Sequence, residues 1–227
     1  MPQDRKYGVL LIAGGRSHQE NYAAAFAADP RCRLVGITDE PDVPADRARW
    51  NVELATTLKI PVLSDLSAAL AREDVQIVSV CAEPERRARM GALAARAGKH
   101  VYMDKPLGAR LHQVDDLVRA VSEHNVKSQM FSLLRTFWAA RARRVVESGA
   151  IGDLVAVHCD LLFAKGPLGN PPTAQPRKET YPPDRFRFVE SKREVWTTAV
   201  YPLVLIQWLT RRRFQDVRAV TANYFFS

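Results

Sequence analysis

The chain is predicted to be α/β: a doubly wound parallel sheet over residues 1–133, followed by a smaller α+β domain over 134–227 with a mostly antiparallel sheet that looks shortened or incomplete. Three observations predict this. Apolar runs alternate with helical segments of about ten to fifteen residues through the first part. Residues 75–81 are almost continuously apolar, as a strand buried on both faces must be. After residue 133 the rhythm changes to helix, alternating strand, Pro- and Gly-rich excursion, helix and strand.

The first unit of that pattern is an apolar run at 7–12, a small-residue turn at Ala13, Gly14 and Gly15, an Ala-rich helix, and a second apolar run ending in Asp39. This is the order of parts in a dinucleotide-binding βαβ unit. A Gly-x-Gly-x-x-Gly pattern would fall on Ala13, Gly15 and His18, so only the middle glycine is present, and a plain α/β core turn stays open as the alternative. Next come a turn at 40–44, a helix at 45–58, a short strand at 60–63 and a helix at 68–71, before which Ser64, Asp65 and Ser67 offer capping side chains. A helix at 86–97 stops at Gly98, a C-terminal signal. A strand at 100–103, a helix at 111–124 and a strand at 126–133 complete the first domain.

In the second part, a helix at 136–148 ends at Gly149, and residues 153–163 alternate as a strand does. Residues 165–183 read as an ordered excursion or a mobile loop, of a length that is often functional. A helix at 195–210 and a strand at 217–226 follow.

Composition bounds the function. With 227 residues and 47% hydrophobic content, the chain can bury a core. A net charge of +8 suggests nucleic acid, yet the basic residues are dispersed without interleaved aromatics. The densest runs, Arg141 to Arg144 and Arg211 to Arg213, read as helix faces and ends, where cations complement the dipole. No nucleic-acid partner is expected. Cys32, Cys81 and Cys159 lack metal or disulfide spacing and are expected to be small buried residues in a reducing compartment. No metal is expected. The polar start resembles no signal peptide, and no run reaches the roughly 18 residues that cross a bilayer. A cytoplasmic protein without a membrane partner is expected.

The most specific segment is Gly98-Lys99-His100-Val101-Tyr102-Met103-Asp104-Lys105-Pro106. Its strand runs into an acid and an amine at the carboxyl end of a sheet, where open α/β sheets bind ligands, with proline fixing the exit. A surface Asp–Lys pair is the plainer reading of the spacing. The segment resembles the Gly-Lys-His-Val and Glu-Lys-Pro signature of the Gfo/Idh/MocA oxidoreductases, the glucose-fructose oxidoreductase and inositol dehydrogenase group. Val80-Cys81-Ala82-Glu83-Pro84 resembles that family's Ile-Ala-Thr-Pro turn. Residues 147–154 resemble its Ser-Gly-x-Ile-Gly link. Residues 199–203 with Trp208 and Leu209 resemble its catalytic helix.

The resemblance implies a Rossmann domain that binds NAD, with NADP possible, and hydride transfer to or from a sugar, polyol or related cyclic alcohol. It implies Lys105 and Tyr201 as catalytic residues. Gly14, Gly15, Arg16, Ser17, Asp39, Ala82, Glu83, Pro84, Asp104 and Lys105 would hold the cofactor, with Asp39 on the adenosine ribose hydroxyls favouring NAD and Arg16 leaving NADP open. Arg135, Lys192 and Tyr201 would contact a sugar-like small molecule, and Arg193 could reach an anionic one. The C-terminal sheet would form a homo-oligomer interface.

Several positions depart from the family pattern. Ala13 and His18 replace outer glycines, Glu83 replaces a threonine, Ala88 lies where a histidine often follows, and Thr197 and Val204 stand where carboxylates are usual. These departures keep open a catalytically weak or inactive dinucleotide-binding homologue with a regulatory or structural role, or an NAD-retaining lyase or glycosidase. Family members exceed 300 residues, so a partial chain, or a dimer covering an unfinished sheet, is expected.

Overall fold

The computed structural model describes residues 6–13, 18–161 and 198–220. Its described residues fall into two compact units, one reaching Phe131 and the other beginning at Ser132.

In the first unit the strands are β1 (Tyr7–Ile12), β2 (Cys32–Thr38), β3 (Val62–Leu63), β4 (Ile77–Val80), β5 (His100–Met103) and β6 (Ser128–Met130). The helices are α1 (Gln19–Ala28), α2 (Ala45–Leu58), α3 (Leu66–Ala71), α4 (Pro84–Arg96) and α5 (Leu111–Glu123). The strands form one six-stranded sheet in the order β3-β2-β1-β4-β5-β6. Every pairing is parallel. The order reverses between β1 and β4, and such a switch point opens a crevice at the carboxyl ends of the strands.

Burial on both faces explains why β1 reads as a continuous apolar run. Val9, Leu10, Leu11 and Ile12 are all fully buried. Successive side chains point to opposite faces, and the core divides accordingly. Leu10 and Ile12 pack with Val78, Val80, Met90 and Leu117. Val9 and Leu11 pack with Ala23, Ile37 and Leu54.

Register then sets the site. Ile12 lies opposite Thr38 and Val80, and Val80 lies opposite Met103. The residues that leave these strands, Ala13, Asp39, Cys81 and Asp104, are thereby brought to a common rim. Helix ends support the geometry: Asp65 caps α3 through the Ala68 N–H at 2.9 Å. Pro84 begins α4, where its missing N–H costs nothing.

The second unit contains a 3-10 turn (Leu133–Arg135), α6 (Phe137–Glu147) and α7 (Val200–Thr210). Arg143 lies 4.9 Å over the Trp208 ring, and Glu147 accepts from Arg143 and Arg211, each at 2.6 Å.

The structure corrects three expectations. Residues 154–161 have no regular structure, although 153–163 alternate, and residues 217–220 have none either. Alternation alone leaves the N–H and C=O groups of a strand unpaired, and the described residues of this unit supply no neighbouring strand. The remainder of both segments and the 165–183 excursion lie outside the described residues. The strand expected at 126–133 is confined to Ser128–Met130, since the chain turns at Leu133. Only Cys81 is buried among the cysteines; Cys32 is half-buried and Cys159 exposed.

Gly8 tests the packing between β1 and the turn before β4. A Cβ there would stand 1.7 Å from the Asp74 carbonyl oxygen, an immovable backbone atom. Gly8→Ala is expected to cost about 3 kcal/mol or more. Gly98 has φ +74° with open space around it, so Gly98→Ala should cost only about 1 kcal/mol. Urea unfolding midpoints of the two variants check the ranking.

Candidate functional site

The rim begins at Ala13, which holds φ 56°, the left-handed backbone that glycine adopts without strain. The turn therefore keeps a glycine-like geometry where the sequence has lost its first glycine. Gly14, Gly15, Arg16 and Ser17 lie outside the described residues.

Helix α4 begins between the two halves of the rim. Its first turn carries consecutive arginines, Arg86 and Arg87, both buried. Adjacent residues on a helix point about 100° apart, so the two guanidiniums reach different strands.

Arg86 serves the β2 side. It donates to both oxygens of Asp39, at 3.2 Å from Nη2 and at shorter range from Nη1. It also donates to Glu83 at 2.6 Å and Glu40 at 3.3 Å. Arg89 pairs with Glu40, and Arg47 Nε lies 2.7 Å from Glu83 Oε1 in an ion pair without hydrogen-bond alignment. Three arginines thus face three carboxylates. Burial works against the Arg86 charge, but Glu83 and Asp39 outweigh it and hold the guanidinium ionised. Burial likewise opposes the Glu83 charge, while Arg86 and Arg47 bring its carboxyl below the ordinary range.

Asp39 was expected to receive ribose hydroxyls, yet its acceptor positions are filled from within. Its Oδ1 accepts from the Glu40 N–H at 2.9 Å and from Arg86, and its Oδ2 accepts from Asn51 at 2.9 Å and from Arg86. A carboxylate offers about four such positions. Arg86 must move off before a hydroxyl can bind there.

Arg87 serves the β5 side. Nε donates to the Ala82 carbonyl at 2.8 Å, Nη1 to the Pro106 carbonyl at 2.6 Å and Nη2 to Asp104 Oδ2 at 3.0 Å. The other Asp104 oxygen accepts from the Tyr22 hydroxyl at 2.9 Å and lies 3.1 Å from His18 Nδ1. Asp104 therefore joins the start of α1, the start of α4 and the end of β5. Burial would raise the Asp104 carboxyl, but the His18 bond, the Arg87 charge and the Lys105 N–H lower it below the ordinary value. Burial and the adjacent Asp104 push the Tyr22 phenol far upward. Lys105 is half-buried, and its ammonium is shifted down: burial and Arg87 outweigh the opposing Asp104.

A separate cavity of about 460 Å³ is lined by Tyr7, Tyr22, Phe26, Arg31, Cys32 and Tyr102, among others. Tyr7 and Cys32 begin their strands, so this cavity lies towards the amino ends, with Tyr22 the residue it shares with the Asp104 junction. Ligands of open α/β sheets bind at carboxyl ends, and the rim is the better candidate.

Of the expected site residues, the structure gathers Asp39, Ala82, Glu83, Pro84, Asp104 and Lys105 at the strand ends. Arg135 is exposed in the 3-10 turn, and Tyr201 is half-buried in the first turn of α7, both in the second unit. Lys192, Arg193 and Thr197 lie outside the described residues. Sequence reading missed Arg86, Arg87, Arg47, Asn51 and Tyr22. One signal was available: two cations opening a helix oppose its dipole and need carboxylate partners.

Comparison with known proteins decides the family. The model described as "Oxidoreductase family, NAD-binding Rossmann fold" (GFO_IDH_MocA) matches residues 7–132. The chain belongs to the Gfo/Idh/MocA oxidoreductase family. Levoglucosan dehydrogenase of Pseudarthrobacter phenanthrenivorans is 28% identical over 158 residues, covering 65% of this chain and 39% of that protein. Inositol 2-dehydrogenase of Pseudomonas fluorescens is 26% identical over 151 residues, covering 66% of this chain and 44% of the relative. The chain thus spans about two fifths of the length of these Gfo/Idh/MocA relatives. The WlbA dehydrogenase of Bordetella pertussis, solved with NADH and UDP-GlcNAcA, shares the fold with a TM-score of 0.57 at 23% identity, over 65% of this chain and 44% of that one. No helix among the described residues is long and apolar enough to cross a membrane.

The Asp104 junction predicts an acid dependence. A carboxyl whose folded pKa is depressed stabilises the protein above its unfolded pKa of about 3.9, and that contribution disappears as pH falls through this value towards the folded one. Asp104→Asn should cost about 3 kcal/mol at pH 7, with the gap to the unmodified chain closing below about pH 4. Urea denaturation of both proteins from pH 3 to 7 measures it.

Proposed function

We propose that this chain binds NAD as an oxidoreductase acting on the CH–OH group of a sugar, polyol or related cyclic alcohol. The observation that carries the reading is the meeting of Ala82, Asp104 and Lys105 at the carboxyl ends of β4 and β5, beside the switch point. Residues 1–133 form the dinucleotide-binding domain. Residues 134–227 form the part that serves the substrate and a homo-oligomer interface. The site is cytoplasmic in this reading.

The donor set fits a dinucleotide on one condition. Gly14 to Ser17 would offer backbone N–H groups and the start of α1 to the pyrophosphate. Ala82, Glu83 and Pro84 would border the nicotinamide side. Asp39 would take the adenosine ribose hydroxyls once Arg86 has left it, and Arg86 would then turn to the pyrophosphate, so that neither charge is left buried alone. Asp39 and Glu40 together disfavour a 2′-phosphate, which supports NAD over NADP.

Bound NAD supplies the hydride acceptor at nicotinamide C4. Lys105 holds the substrate oxygen and stabilises the alkoxide that forms there as the hydroxyl proton is taken, which then expels the hydride from carbon. Tyr201 takes or returns the hydroxyl proton. Arg135 and Lys192 orient the substrate. Relatives carrying dehydrogenase names support turnover rather than cofactor binding alone.

Fluorescence quenching and thermal shift with the four nicotinamide dinucleotides test the binding, with NAD(H) expected to bind more tightly than NADP(H). Reduction of NAD with a panel of polyols and anhydrosugars tests the chemistry. Lys105→Ala is expected to lower kcat/KM by roughly 10² to 10³ while a dinucleotide still binds. Absence of binding by all four would reject the proposal.

A further inference from the structure

We propose that Arg87 is the positioning residue of Lys105: its guanidinium ties the residues on both sides of that lysine to the end of β4. The reading deepens the function proposed above and rests on it for the catalytic importance of Lys105.

Arg87 is 4% exposed and stands in the first turn of a helix, where both burial and the dipole oppose a cation. Something specific must hold it there. Its three donor groups meet three acceptors: the Ala82 carbonyl, the Asp104 carboxylate and the Pro106 carbonyl. Two of these acceptors belong to the residues immediately before and after Lys105. The third belongs to the strand end that borders the expected nicotinamide side. A planar fork with several fixed donors can hold such a set in one geometry, and a lysine cannot.

The same contacts govern charge. Among the described residues, the charged groups that bear on Lys105 are Asp104 and Arg87, and behind Asp104 stand His18 and Tyr22. One Asp104 oxygen is held by Arg87, and the other is directed to Tyr22 and His18. Asp104 is thus paired with the Arg87 guanidinium. Removing the guanidinium takes away a neighbouring cation and releases the carboxylate, and both changes favour the lysine ammonium.

The test reads the lysine directly on the full chain, without turnover. Competitive acetylation with acetic anhydride across pH 6 to 11, mapped by mass spectrometry, reports the free-amine fraction of Lys105 against the exposed Lys59. In Arg87→Met, Lys105 acetylation near pH 8 should fall about tenfold, the effect of a one-unit upward shift. Arg87→Lys keeps the charge and loses the fork. Its acetylation profile should stay within about twofold of the unmodified chain, while amide exchange over residues 104–107 accelerates at least about tenfold and that of β1 is unchanged. An unaltered Lys105 profile in folded Arg87→Met would overturn the proposal and leave Arg87 a purely structural residue. Should Arg87→Met fail to fold, unaltered exchange over 104–107 in Arg87→Lys does the same. A chain that shifts as expected yet binds no dinucleotide keeps the positioning role and loses the proposed function instead.

Discussion

Two consecutive arginines at the start of α4 hold the carboxyl rim of the sheet together. Arg86 reaches past the end of β1 to the acids that follow β2, and Arg87 reaches the motif that follows β5. A buried guanidinium is tolerable only with carboxylates and carbonyls closely arranged around it. Each arginine therefore imposes a position on its partners, and those partners are the residues a dinucleotide would meet. The apolar sheet sets where the strands end, while the arginines set where the polar groups beyond those ends sit.

This arrangement gives the two halves of the rim different characters. On the β5 side, the Asp104 network binds α1, α4 and β5 together and leads directly to Lys105. On the β2 side, Asp39 is occupied by Arg86 and Asn51. In the proposed reading, ligand binding there would be an exchange of partners, in which a cofactor hydroxyl replaces a guanidinium. Among the described residues three arginines face three carboxylates, so moving Arg86 would take a cation from these acids unless an anion receives it. The pyrophosphate of a dinucleotide meets that requirement.

The fold of the first unit was largely legible because its signals are local. Continuous apolar runs at β1 and β4, the helix at 45–58 and the stop at Gly98 each follow from neighbours in sequence. The motif at 98–106 was legible by resemblance, and register then brought it to the rim with Asp39 and Ala82. The polar network was not legible, because its bonds join residues far apart: Arg86 and Asp39 are separated by 47 positions, and Tyr22 and Asp104 by 82. The left-handed Ala13 was hidden for a different reason, since a residue other than glycine can hold that backbone where its surroundings repay the strain. The strand expected at 153–163 rested on alternation, and alternation specifies a strand only when a neighbour accepts its hydrogen bonds.

The central claim is that the rim, and not the cavity lined by Tyr7, Cys32 and Tyr102, receives the dinucleotide. Amide hydrogen exchange with and without saturating NADH tests it most directly. Slowed exchange at residues 39–44, 82–88 and 104–108, with residues 29–33 unchanged, is the predicted result. Protection confined to residues 29–33 and the start of β1 would contradict the account.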